Sequence, residues 1–176
     1  MPVTSLITTP GAANSNAYVA LSVADQYHLD RPAVGTTWAS ATSDQKTAAI
    51  LWATKLLDRL FYWEGSVVDT TQILLWPRAG LVDVNDWSNL DTTTIPALIQ
   101  YATAEFARQL LVEDLTGNVD LVRQGIKHLK AGSVAIDFFG TADVAPIPDA
   151  VINLIPQQWG YPRDNGGLAE RELLRA

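Results

Sequence analysis

The sequence predicts a mainly α fold: a bundle of two long helices and two or more short ones, one β-hairpin, and extended N- and C-terminal arms. Two stretches with apolar residues at the helical period predict the bundle, at about 43–61 and 94–113. A break to strict alternation at about 122–139 predicts the hairpin. With 176 residues, 48% of them hydrophobic and 18% charged, the chain is long enough for one sizeable core and too short for two.

Residues 1–21 are small and polar, with Pro10 and Gly11, and read as an extended arm. They carry no positively charged n-region or apolar h-region, which predicts no signal peptide. "SVADQYHL" reads as a short helix, with Ser22 its cap and Asp25 a weak partner in a capping box. On the first long helix, Trp52, Leu56, Ala49, Leu60, Ala53, Leu57, Ile50 and Phe61 fill about half the circumference at 100° per residue. Thr47, Asp44, Lys55, Asp58 and Arg59 fill the other half. Leu51 stands alone in that polar half, a candidate subunit contact.

Residues 62–91 hold three Trp and several turn formers, predicting a long ordered loop with a role in binding or packing. Within it, "QILLWPRAGL" reads as a rigid corner of Trp76, Pro77, Arg78 and Gly80. Pro77 removes a donor and restrains Trp76 to an extended conformation, and Gly80 supplies a turn. Leu74, Leu75 and Trp76 are expected to pack back on the long helices. Arg78 is expected to pair with a carboxylate of its own subunit or of a neighbour.

The second long helix starts at Thr94 with Pro96 in its first turn, where a missing N–H costs nothing. Leu98, Ile99, Ala102, Phe106 and Leu110 form one apolar row; Ala97, Tyr101, Ala104 and Leu111 form a shallower one. Two rows imply neighbours on two sides. The hairpin strand that follows bears Arg123, Lys127 and Lys130 with no acid between, a positive stripe for an acidic partner, for nearby DNA, or for solvation of an edge. "PIPDAVINLI" reads as a short helix. The remainder divides into a domain over 1–156 and a C-terminal docking tail over 157–176. In the tail, Trp159, Tyr161, Pro162, Arg163, Leu173 and Leu174 are the expected partner-binding residues.

The sequence offers no case for an enzyme, and none is expected. The two histidines, His28 and His128, fall on a helix and a strand and read as core or surface, with no nucleophile elbow, phosphate loop or paired carboxylates beside them. "DVNDWSNLD" opens like a calcium loop at Asp83 and Asn85, but Trp87 and Ser88 stand where an oxygen ligand and a glycine belong. Glu105 and Arg108 are spaced to pair on the second helix. No cysteine is present, so disulfide scaffolds and thiolate metal sites are excluded. No cofactor or metal is expected. No apolar run reaches the roughly 18 residues of a membrane span. A net charge of −7 disfavours a protein that holds nucleic acid by charge.

The order of "NSNAYVALSVADQY", Trp38, "TSDQKTAAILWATKLLDRLFYWEG", "QILLWPRAGLVD" and "IPALIQYATAEFARQLL" resembles a phage-encoded family over roughly residues 10–155. Its members are labelled DnaT-like single-stranded-DNA-binding proteins and are similar to head–tail connector, or adaptor, proteins. Asn16-Ala17-Tyr18 departs from the family's usual N-S-Y, and the tail after Pro156 is long. The adaptor resemblance implies a structural virion protein of the phage neck, made in the host cytoplasm. It implies a homo-oligomeric, dodecameric ring beneath the portal protein, meeting the next neck, stopper or tail-completion protein, with DNA as non-specific cargo and no membrane. Because Trp63, Trp76 and Trp87 stand near Glu64, Asp83 and Asp86, and negative charge suits a channel through which DNA slides, the adaptor is the expected function. Single-stranded-DNA binding is the alternative.

Overall fold

The computed structural model describes residues 4–31, 35–112, 128–131, 134–137 and 147–163. Among them are five helices: α1 (Leu21–Leu29), α2 (Gly35–Ser40), α3 (Ser43–Leu60), α4 (Ala97–Val112) and α5 (Asp149–Ile152). Six short strands form three antiparallel pairs, so the architecture is mixed, with helices dominant. β1 (Phe61–Trp63) pairs with β6 (Gly160–Pro162), β2 (Ser66–Val67) with β3 (Arg78–Ala79), and β4 (His128–Ala131) with β5 (Val134–Asp137).

α4 is the centre of the bundle. Every residue from Ala102 to Ala107 is buried, and α1, α2, α3 and α5 all pack on this helix. The two apolar rows have the neighbours they require. The alanines let those helices approach closely, and Phe106 and Ile99 fill the space between them. α3 starts at a capping box: Thr42 accepts from the Gln45 N–H, and the Gln45 side chain accepts from the Thr42 N–H. α1 differs from expectation. Ala20 occupies its N-cap without a side-chain bond, and Asp25 instead accepts from Trp38 Nε1 at 2.7 Å and Lys46 Nζ at 2.9 Å.

The N-terminal segment is built into the core rather than free as an arm. Asn16 Oδ1 accepts from the Ile7 N–H at 2.7 Å and its Nδ2 donates to the Ser5 carbonyl at 2.9 Å, closing a loop that turns Ala17, Tyr18 and Val19 inward. The loop at 62–91 is ordered by the β2–β3 pair and by a bridge between Val82 and Asn89. The boundary expected at 156/157 falls inside the fold. Trp159 is 2% exposed, its indole donates to the Val82 carbonyl at 2.8 Å, and β6 runs straight on from it.

Candidate nucleic-acid interface

The first constellation is the corner. The Trp76–Pro77 peptide is cis, and Trp76 is buried against Trp63 (ring centres 5.4 Å apart) and Trp159 (5.8 Å). Gln72 fastens the approach: its Oε1 accepts from the Val68 and Asp69 N–H groups, and its Nε2 donates to the Leu74 and Pro77 carbonyls. Arg78 pairs with no carboxylate among the described residues of its own chain, where one of its own subunit or of a neighbour is expected. It lies 7% exposed and donates to the carbonyls of Glu64 (2.5 Å), Gly65 (2.8 Å) and Leu75 (3.0 Å). The reason is geometric: the β1–β2 turn at Glu64 and Gly65 and the approach to the corner at Leu75 wrap carbonyls around the guanidinium fork, and these fill its donors.

Behind the corner, the Tyr18 hydroxyl donates to Asp58, which also accepts from the Leu75 N–H at 3.2 Å; the hydroxyl accepts from the Trp76 N–H at 3.2 Å. Burial pushes the Asp58 carboxyl up to about 6 and the Tyr18 hydroxyl well above its ordinary value. Asp58, expected on the solvated half of α3, is the link between N-terminal segment and corner. Trp52, expected in the core, is 43% exposed. Leu51 is half-buried.

A second buried cluster crosses the bundle. Glu105 is 1% exposed and pairs with Arg31 at 2.5 Å and Arg108 at 2.7 Å. These two cations hold its carboxyl below the ordinary range against the desolvation that raises it. Nearby, His28 is buried with Nε2 at 3.1 Å from the Ala104 carbonyl, and burial lowers its pKa. Between α1 and α4 lies a shallow depression of about 250 Å³ floored by Tyr27 and Tyr101, which stack at 5.1 Å. Among the described residues no group of three or more His, Asp or Glu side chains could hold a metal ion. No described helix is long and apolar enough to cross a membrane.

These interactions leave a remainder. Of the described Lys and Arg side chains, Arg31 and Arg108 serve Glu105, Lys46 serves Asp25, and Arg78 serves carbonyls. Lys55, Arg59 and Arg163 have no ion pair among the described residues, and all three are exposed. Lys55 and Arg59 stand one turn apart on α3, with exposed Trp52 on the turn before. β6 delivers Arg163 to the end of that row: its N–H donates to the Leu60 carbonyl at 2.7 Å and its Nε to the Phe61 carbonyl at 3.0 Å. Its guanidinium carbon lies 4.4 Å from the ring centre of Tyr62, which is 46% exposed. Tyr161 is 5.6 Å from Tyr62. Between Gln45 and Trp63 the one acid is Asp58, and it is turned inward. A family model described as "Putative DnaT-like ssDNA binding protein" matches residues 5–170.

The chain belongs to that family. No curated protein and no solved structure matches it. The segments that carry the resemblance to the DnaT-like family have structural work in this chain: Asn16 and Tyr18 close the N-terminal loop, and Gln72, Trp76 and Arg78 make the corner.

Of the expected docking residues, Trp159 lies in the core, whereas Tyr161, Pro162 and Arg163 are brought onto the end of α3. Leu173 and Leu174 lie outside the described residues, as do Arg123 and Lys127 on the expected hairpin stripe. Lys130 is on β4, paired with Ala135. Gly80 has φ 80°, the turn conformation glycine is suited to. The row of Lys55, Arg59, Tyr62 and Arg163 was missed as a unit. Its signal was present in the polar arc of α3, where Lys55 and Arg59 stand one turn apart and the acid beside them, Asp58, turns in; the other acid of that arc, Asp44, lies in the first turn.

Proposed function

We propose that this chain contacts single-stranded DNA weakly and without reading sequence, through the row Trp52, Lys55, Arg59, Tyr62 and Arg163. The observation that carries the reading is that the exposed cations left without an ion pair among the described residues lie along one row with aromatic side chains among them. A sequence-independent single-strand surface needs those two ingredients, cations for phosphate and aromatic faces for bases. The family's description supports the same reading. Three phosphate contacts give a slope of log affinity against log salt of about −2 for a single strand, or about 20-fold weaker binding at 200 mM than at 50 mM. Fluorescence anisotropy of a labelled oligonucleotide at those two salt concentrations tests this; absence of binding at the lower one would remove the reading.

A second reading is a head–tail adaptor of a phage neck, forming a homo-oligomeric ring under the portal protein and passing DNA to the next neck protein. The net charge of −7 favours it, because three cations on a negative protein let DNA slide where a stronger basic surface would hold it. Exposed Ile73 and Val68 on the 62–91 loop, and Leu51 on α3, would then be subunit contacts. Light scattering with and without purified portal protein separates the two. A ring or a portal complex supports the adaptor, and a monomer that ignores portal supports the single-strand binder. Neither reading includes an enzymatic step or a cofactor.

A further inference from the structure

The row is not uniform, and its two ends suit different parts of a nucleic acid. Lys55 and Arg59 project from a helix with no hydrogen bond or ring contact among the described residues to fix the ammonium or the guanidinium plane, so they can meet phosphates at any spacing. Arg163 is built differently. Its backbone N–H is fixed to Leu60, its Nε to Phe61, and its guanidinium lies over the Tyr62 ring at 4.4 Å. The plane of the guanidinium is therefore held, with one face on tyrosine. Its Nη nitrogens have no protein partner among the described residues. With Tyr161 near the same ring, 5.6 Å away and tilted by 40°, Tyr62 acts as backing for the arginine more than as an open platform.

We infer that Arg163, backed by Tyr62, is the base-stacking residue of this surface and the group that prefers single strands to duplex. An immobilised guanidinium plane accepts an unpaired base by stacking and cation–π attraction, and its free edge can meet the adjoining phosphate. A base inside a duplex presents no free face and gains nothing there. Lys55 and Arg59 attract both forms alike, since each offers phosphate. Charge thus supplies the affinity common to both forms, and the Arg163–Tyr62 stack supplies the discrimination. This rests on the single-strand reading proposed above.

The test is the ratio of single-strand to duplex affinity of the full chain, measured with a labelled oligonucleotide and the same oligonucleotide annealed to its complement. The wild type is expected to favour the single strand by about ten-fold. Arg163→Lys keeps the charge and loses the plane, so the ratio should fall towards one while the salt slope is unchanged. Tyr62→Ala, on an exposed side chain, should do the same if Arg163→Lys perturbs folding, as followed by near-UV dichroism of the tryptophan cluster. Lys55→Ala with Arg59→Ala should weaken both forms together and flatten the slope, leaving the ratio. A ratio that survives both Arg163→Lys and Tyr62→Ala overturns the inference but leaves the DNA reading standing. Failure of the wild type to bind either form overturns both.

Discussion

The chain contains two aromatic–Pro–Arg triplets, Trp76-Pro77-Arg78 and Tyr161-Pro162-Arg163, and they end in opposite situations. Both arginines donate to backbone carbonyls near the end of α3 and β1. Arg78 is buried, and bonds to Glu64, Gly65 and Leu75 engage every nitrogen of its fork. Arg163 is exposed and uses only Nε in this way. The same three residue types thus give a fastening in one place and an available cation in the other. What decides between them is how much carbonyl-bearing chain folds over the guanidinium, and only the arginine with unused donors can serve a ligand.

The largest effect is expected for Arg78→Ala, which takes the donors from the Glu64, Gly65 and Leu75 carbonyls and opens a cavity; about 3 kcal/mol of unfolding free energy should be lost in urea denaturation. Arg163→Ala should move the same curve by no more than about 0.5 kcal/mol. Equal losses would erase the distinction between the two triplets.

Asp58, which anchors the buried triplet through the Leu75 N–H, provides a pH test. Its folded pKa of about 6 lies above the ordinary 3.8, so the folded chain takes up its proton more readily than the unfolded chain does. Its stabilising contribution is full below the unfolded value and is lost as pH rises through about 6. Asp58→Asn should therefore gain on the wild type by about 2 to 3 kcal/mol between pH 4 and pH 7. A difference constant with pH would show that Asp58 is not buried in this way.

A smaller effect, about 2 kcal/mol, is expected for Gly65→Ala. Gly65 has φ 69°, and an added Cβ would meet the Ala79 carbonyl at 2.4 Å, disturbing one of the acceptors around Arg78. Chevron or equilibrium unfolding reads it directly. At the bottom of the scale, Lys55→Ala and Arg59→Ala should each alter stability by less than about 0.5 kcal/mol, because neither side chain has a partner to lose among the described residues. A larger loss from either would mean that it is a structural residue.

α3 and α4 were legible because helical periodicity is local: each apolar row sits on one short stretch of chain. The exchange of Trp52 and Asp58 was not. Asp58 is turned in by Tyr18 and Leu75, which come from segments far away in sequence, and no pattern within α3 announces them. The N-terminal segment reads as polar and free because its order comes from single bonds such as Asn16 to Ile7, without an apolar repeat. The C-terminal boundary failed for a similar reason. Trp159 looked like an exposed docking residue until Val82 and Trp76 closed around it. The row of cations was half legible: Lys55 and Arg59 share a helix face, but Arg163 joins them only through the pairing of β6 with β1.

The most direct test of the account replaces Lys55, Arg59 and Arg163 together by alanine and compares oligonucleotide anisotropy with the wild type at 50 mM salt. Because these exposed side chains carry no ion pair among the described residues, the variant should fold as before and lose salt-sensitive binding. A folded variant that binds the single strand as tightly as the wild type would contradict the account.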